Sequence, residues 1–426
     1  MDLSLDRLRG LLAKLGNPER RLPPVIHVAG TNGKGSTCAF LRAIGEAAGW
    51  RVHVFTSPHL VRFNERFRVA GDIVSDDVLN ATMAHIEAVN AGEAITLFEV
   101  ITAAAFHMFA AEPADLCVLE VGLGGRGDAT NVILPPTATA ITSISMDHKE
   151  LLGDTLALIA AEKAGIMKPG VPVAIGAQPP EVMAVLSEHA ARVGAPVSLR
   201  GRDWTIEQGR YTDSRGALTL PPPGLAGIHQ WDNAGIAIAA LRASGLGVPD
   251  EAFALGVARA EWPARLQRLR GHLAAMLPPE WELWLDGGHN PGAGEALAEH
   301  LRGWQDRPVH AIAGLNRAKD GAGFLRPLLP HVSTLWAVAE PGQHAAMAVD
   351  QIVAASGGVA RSGPTLVEAL AALPRGTPGR VLICGSLYLA GEVLKADECP
   401  IPVGVDGGSS NPANPATTTG GRRVIF

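Results

Sequence analysis

The segment GTNGKGS, residues 30–36, sets three glycines around one lysine between a β-branched run, VIHVAG, and a helical stretch, TCAFLRAIGEAAG. In such a loop the backbone N–H groups face phosphate oxygens. The helix N-terminus adds about half a positive charge and Lys34 a full one, which is equipment for a triphosphate. The strict string G-x-x-x-x-G-K-[ST] is not met, because Val28 stands where the first glycine should be and Gly35 follows the lysine. A Gly-rich turn with a surface lysine is the bland alternative. Strand before, helix after and Ser36-Thr37 at the helix start favour nucleotide binding.

A second glycine set is misleading. Gly122, Gly124 and Gly127 satisfy G-x-G-x-x-G directly after LCVLEV. A dinucleotide site needs a helix next, and DATNVILPPTAT with its two prolines offers none. The polar content matters more: Glu120 closes the strand, and Arg126, Asp128 and Asn131 crowd the loop. Strand C-terminal ends are where α/β sheets bind ligands, although an ion-paired turn would use the same residues. Asp147 and His148 end another strand in SISMDHKELLG, and Ser57 ends a third. A hydroxyl, a carboxylate and an imidazole suit a magnesium ion that keeps several waters and grips substrate phosphates, while a lone histidine is more often structural. Lys163 follows Glu162 in a helical pattern, and on residue type alone it reads as an exposed lysine paired with a neighbour.

These residues need elements to position them. Leu3, Leu8, Leu11, Leu12 and Leu15 have helical spacing, ended by Gly16-Asn17-Pro18. VIHVAG, the loop, the helix and RVHVFTS make a βαβ unit. ITLFEVITAAAFHMFAA reads as helix, LCVLEV and TATAITSIS as strands, LALIAAEKAGIM as helix and PVAIG as strand. Residues 195–223 hold short polar strands, and NAGIAIAALRASG and FALGVARAEW are helices. From about residue 270 the rhythm restarts: WELWLDGG, VHAIAGL, STLWAVAE and RVLICGS are strands, with helices at GAGEALAEHLRGW and DQIVAASGG. The expectation is an α/β protein of two units, residues 1–269 around a mostly parallel sheet and a smaller α/β unit over 270–399. Residues 400–426, rich in Gly, Ser, Asn, Pro and Thr, read as a disordered tail.

Composition sets limits. With 426 residues, 47% hydrophobic and 18% charged, the chain has material for two sizeable cores. A net charge of −6 gives no basic excess, so neither nucleic acid nor an anionic membrane is indicated as a partner. Cys38, Cys117, Cys384 and Cys399 form no C-x-x-C pair, which points away from disulfides and zinc and towards a reducing cytoplasm. The N-terminus carries charge every few residues and lacks an apolar signal region. The uncharged stretch 129–146 contains Pro135 and Pro136 and is no membrane span.

Taken together, HVAGTNGKGST (27–37), TSPHLVRFNERFRV (56–69), TLFEVITAAAF (96–106), LEVGLGGRGDATN (119–131), TSISMDHKELLG (142–153) and EKAGIMKPGVPV (162–173) resemble the folylpolyglutamate synthase/dihydrofolate synthase family of the wider Mur ligase group. So do GIHQWDNAGIAIAAL (227–241), WPARLQ (262–267), LDGGHNP (285–291), AGLNRAKD (313–320) and ICGSLYLAGEVL (383–394). The resemblance implies a P-loop-type N-terminal ATPase domain, a Rossmann-like C-terminal domain and an active site between them. It implies that Asn32, Gly33, Lys34, Gly35 and Ser36 cradle ATP phosphates, and that Ser57, Glu120 and His148 hold magnesium, of which two ions are expected, with K+ as a further cation. Lys163 matches a carbamylated lysine, which reverses its reading from residue type. Asn233, Arg265 and Asp286 match contacts to adenine, phosphate and ribose. Asp2, Leu3, Thr96, Gly127, Asp128 and Ala129 match a pterin pocket, and His289 and Ser386 a glutamate site. Lys34, His148 and Lys163 are the expected catalytic residues. The family usually has an extra N-terminal helix and an acidic residue before Lys-Asp in the AGLNRAKD motif, and this sequence departs from both.

The activity so implied is ATP-dependent ligation of L-glutamate to dihydropteroate and to tetrahydrofolates, through an acyl phosphate, by a monomer acting on small molecules. A Mur-type ligase of a UDP-sugar peptide would use the same chemistry but is expected to carry a further N-terminal domain. A non-catalytic nucleotide-binding regulator would need the loop without Glu120, His148 and Lys163.

Overall fold

The computed structural model describes residues 5–207 and 209–398, and the tail expected over 400–426 lies outside them. Its first strand, Val25–Ala29, is buried at every position, as a β-branched run flanked on both sides requires. It sits inside an eight-stranded sheet ordered 72–73, 67–69, 52–55, 116–120, 25–29, 138–141, 173–175, 197–199. The strands from 52–55 to 197–199 are parallel, and the short pair 67–69 and 72–73 runs antiparallel at one edge.

Register explains why distant residues meet. Val28 lies beside Glu120, Phe55 beside Leu119 and Ala29 beside Ile141. The glycine loop, Ser57, Glu120 and the segment leading to Asp147 and His148 therefore leave the sheet at the same C-terminal edge, where open α/β sheets take ligands.

Helix Lys34–Ala47 begins at Lys34 rather than at Thr37, so the loop lysine is its first helical residue. It packs on one face with helices Gln230–Ser244 and Asp250–Arg259. The helix Gln230–Ser244 is buried nearly all round, between the large sheet and a three-stranded antiparallel sheet formed by 204–207, 210–213 and 216–219. Small residues on every side of it fit that position, and a Cβ on Gly235 would lie 2.5 Å from the Trp204 ring. The helices Asp6–Lys14, Asp76–Asn90 and Leu97–Ala111 form a separate core that includes Phe55, Phe106 and Phe109.

The second α/β unit has six strands in the order 267–269, 282–285, 380–384, 309–313, 334–337, 361–362, parallel except for the first. The last strand among the described residues, Arg380–Cys384, lies inside this sheet, next to Glu282–Leu285 and Val309–Ala313. The expected partition after residue 269 meets one difference. Gln267–Leu269 pairs antiparallel with Leu283–Leu285 and so belongs to the second sheet, because backbone pairing rather than the restart of βα alternation places it. Among the described residues no helix is long and apolar enough to cross a membrane.

Candidate active site

A cleft of about 850 Å³ runs between the two units. It is lined by the glycine loop, the ends of the parallel strands, and Arg265, Asp286, His289 and Ser386.

The glycine loop, the expected phosphate cradle, is shaped by backbone. Gly33 has φ +91°, and a Cβ there would sit 2.3 Å from the Asn233 side-chain oxygen, so only glycine lets the loop lie against the helix that carries Asn233. A Cβ on Gly35 would meet the Trp262 ring at 3.0 Å. Lys34 folds back, its Nζ donating to the Gly30 and Thr31 carbonyls at 3.2 Å each. Ser36 is buried at the first turn of the helix.

Of the residues expected to hold metal, Glu120 and Ser57 come together. Glu120 is 5% exposed, and its Oε2 accepts from the Ser57 backbone N–H at 3.0 Å. Burial pushes the Glu120 carboxyl up, opposed by the Lys34 charge and by that backbone hydrogen bond. His148 lines the same cleft with φ +49°, a left-handed conformation that is unfavourable for a residue with a Cβ. Burial lowers its pKa and keeps the imidazole neutral, the form that coordinates metals. Among the described residues no three His, Cys, Asp or Glu side chains cluster as a metal cage. Two hard oxygen donors and an imidazole in a cleft that the glycine loop also lines still fit a magnesium ion that draws its other ligands from water and substrate.

Lys163 is not the exposed lysine that residue type suggests. It is 5% exposed, and its Nζ donates to the Gly30 carbonyl at 2.8 Å. Close packing buries it: a Cβ on Gly125 would lie 3.0 Å from the Lys163 Cα, and one on Gly165 2.6 Å from the Arg126 Cα. Of the glycines in the misleading G-x-G-x-x-G, Gly122 lies against the helix Leu97–Ala111, where a Cβ would meet the Phe98 ring at 2.3 Å, and a 3-10 turn, Ala129–Val132, follows the loop. Burial, then the charge of Lys34, brings the Lys163 pKa down to about 7.

The remaining expected residues divide in two. Asp286 accepts from the Leu266 and Gly288 N–H groups and lies beside Arg265, whose neighbours Ala264 and Leu266 both have positive φ. A Cβ on Gly287 would meet Arg265 Nη1 at 2.9 Å. Thr96, Gly127, Asp128 and Ala129 also line the cleft. Thr96 also caps the helix Leu97–Ala111, and buried Asp128 accepts from the Leu123 and Thr130 N–H groups, so both hold structure as well as surface. Ser386, 2% exposed, accepts from the Tyr388 N–H at the start of the last helix. Asp2 and Leu3 lie outside the described residues.

Residue patterns gave no role to Asn290, Lys319 or Trp262. Asn290 caps the helix Pro291–Leu301 and exchanges amide hydrogen bonds with Asn32 across the cleft. Its signal was present: an Asn directly before a Pro that starts a helix.

Family models match this chain over residues 28–241, as the Mur ligase middle domain, and over 272–396, as the dihydrofolate synthetase C-terminal domain. A dihydrofolate synthase/folylpolyglutamate synthase of Bacillus subtilis is 39% identical over 70% of this chain and 72% of its own length. The chain belongs to the dihydrofolate synthase/folylpolyglutamate synthase family. Escherichia coli FolC, solved in complex with DHPP and ADP, superposes with a TM-score of 0.85 at 34% identity, covering 93% of this chain and 94% of that one. A bifunctional synthase of the family with Mn, AMPPNP and L-glutamate bound gives 0.84 at 33%, covering 94% and 95%. The Mur ligase-like α/β architecture is thus common to this chain and its family.

Proposed function

We propose that this chain joins L-glutamate to dihydropteroate and to the γ-carboxylate of tetrahydrofolates at the expense of ATP. One observation carries the reading: a single cleft holds the phosphate loop, the Ser57, Glu120 and His148 donors and side chains of the second unit. Relatives solved with an ATP analogue, manganese and glutamate support it.

A carboxylate is a poor acyl donor at neutral pH. Its oxygen attacks the γ-phosphorus of ATP, the bond to the β–γ bridging oxygen breaks, and ADP leaves with that oxygen. The glutamate amine then attacks the acyl carbon, loses a proton, and expels phosphate as the amide forms. Lys34, once released from the Gly30 and Thr31 carbonyls, and the loop N–H groups stabilise charge on the moving phosphoryl group. Asn233, Arg265 and Asp286 hold the nucleoside side, and His289 and Ser386 face the glutamate. Thr96, Gly127, Asp128 and Ala129 bound the pterin. Ser57, Glu120 and His148 would hold divalent magnesium, which neutralises phosphate charge when bound. Two magnesium ions with an accompanying K+, a cytoplasmic location and a monomeric state complete the proposal.

Lys163 takes its place as a carbamate. With a pKa of about 7, a large share of its amine is neutral at physiological pH and able to add to CO2, giving a carbamate anion and a proton. The anion would remove the positive charge now set against Lys34.

The test is an incubation of the chain with ATP, L-glutamate and either dihydropteroate or tetrahydrofolate. ADP and a new glutamyl amide in equal amounts are expected with each acceptor. ADP without an amide, or no acceptor dependence, contradicts the reading.

A further inference from the structure

Asp147 is where the second unit reaches into the first. Lys319 Nζ lies 2.5 Å from its Oδ1, Asn290 Nδ2 donates to its Oδ2 at 3.0 Å, and His289 Nε2 lies 3.6 Å from that oxygen. Burial alone would push the Asp147 carboxyl up. Contact with His289 and the charge of Lys319 outweigh burial and hold it well below the usual carboxylate range. Lys319 does something more: its Nζ donates to His148 Nε2 at 3.2 Å. That hydrogen bond occupies the lone pair through which this nitrogen would bind a metal, and one lone pair cannot serve an ammonium and a divalent cation together.

We propose that Lys319 is a positioning residue that stands in for the divalent cation at His148 in the empty enzyme, bridging the two units through Asp147 and His148 until the cation displaces it. The inference rests on the reading of His148 as a metal ligand. Three features support it. The ammonium brings positive charge to a pocket that holds Asp147 and Glu120. Its four-carbon stem can swing away while the loop that carries it stays tied by the Arg317 N–H to the Ala345 carbonyl and the Lys319 N–H to the Asn316 carbonyl. The Asn32–Asn290 amide pair lies on the same carboxylate, so the bridge also touches the nucleotide loop. Cation binding and the bridge then compete, and the bridged fraction lowers the apparent cation affinity.

The test is Mn2+ binding to the full chain without nucleotide, read from the electron paramagnetic resonance signal of free Mn2+. Lys319→Met is expected to bind Mn2+ about tenfold more tightly than the native chain, because the competing bridge is gone. Lys319→Arg, which keeps the charge, restores the native affinity. The gain persists in Lys319→Met/Asp147→Asn and disappears in Lys319→Met/His148→Ala, and all variants keep a cooperative unfolding transition. Unchanged or weaker Mn2+ binding in a folded Lys319→Met chain overturns the proposal. So does a gain that vanishes with Asp147→Asn, since a freed carboxylate would then be the ligand. Ligase activity of the native chain is measured separately: an active enzyme with no Mn2+ gain sinks this inference alone, and a Mn2+ gain in a chain without folate ligation sinks the functional reading alone.

Discussion

The two walls of the cleft are built by different means. On the wall of the first unit, backbone fixes the site. Gly33 and Gly35 press against Asn233 and Trp262, and strand register sets Glu120 beside the loop. On the other wall the site is tied across the cleft by side chains: Lys319 to Asp147 and His148, and Asn290 to Asn32 and Asp147. Backbone placement is preorganised and has few alternatives, whereas polar side-chain ties can exchange for ligand contacts at small cost. The first wall therefore suits phosphate chemistry and the second suits closure.

Substitutions in the first wall should cost most. His148→Ala is expected to lower ligase turnover on the order of 1,000-fold while circular dichroism shows the fold retained. A rate near native in that variant would remove His148 from the reaction. Gly33→Ala comes next. A Cβ placed 2.3 Å from Asn233 Oδ1 at φ +91° must distort the loop. The kcat/KM for ATP should fall on the order of 100-fold, the cost of misplacing reacting groups by about 1 Å. An unchanged kcat/KM would show that the loop does not depend on this close approach.

Lys163 offers a pH test of intermediate size. Its depressed pKa, about 7, means that the neutral amine is scarce below that value and predominant above it. With 13C-labelled bicarbonate, a carbamate carbon signal absent in Lys163→Met should form at an initial rate, per dissolved CO2, about tenfold higher at pH 8 than at pH 6, following the neutral amine. No signal at pH 8 would exclude the modification. The same shift affects stability: between about pH 7 and the unfolded lysine value the unfolded chain binds the extra proton, so this group makes stability rise with pH across that window. The smallest effect belongs to the second wall. Asn290→Ala removes the Asn32 and Asp147 ties and a helix cap, for a loss of about 1 kcal/mol in stability and a rise of a few-fold in the KM for glutamate. A loss of turnover as large as that of His148→Ala would erase the distinction between the walls.

The first wall was also the more legible in sequence. Its loop, strands and helices follow short-range patterns: β-branched runs, glycines at a strand end, apolar residues at helical spacing. Residue type misread Lys163, because its burial depends on Gly125 and Gly165 packing between segments some forty residues apart. The partition after residue 269 missed the pairing of Gln267–Leu269, since a three-residue edge strand carries almost no periodic signal. Lys319 stands 172 positions from Asp147, so no local pattern could show that the two meet.

The most direct measurement follows oxygen. Dihydropteroate labelled with 18O in its carboxylate is incubated with the chain, ATP and L-glutamate, and the released phosphate is analysed by mass spectrometry. Activation through an acyl phosphate predicts one 18O atom in phosphate for each amide formed. Amide formation with unlabelled phosphate would contradict the account.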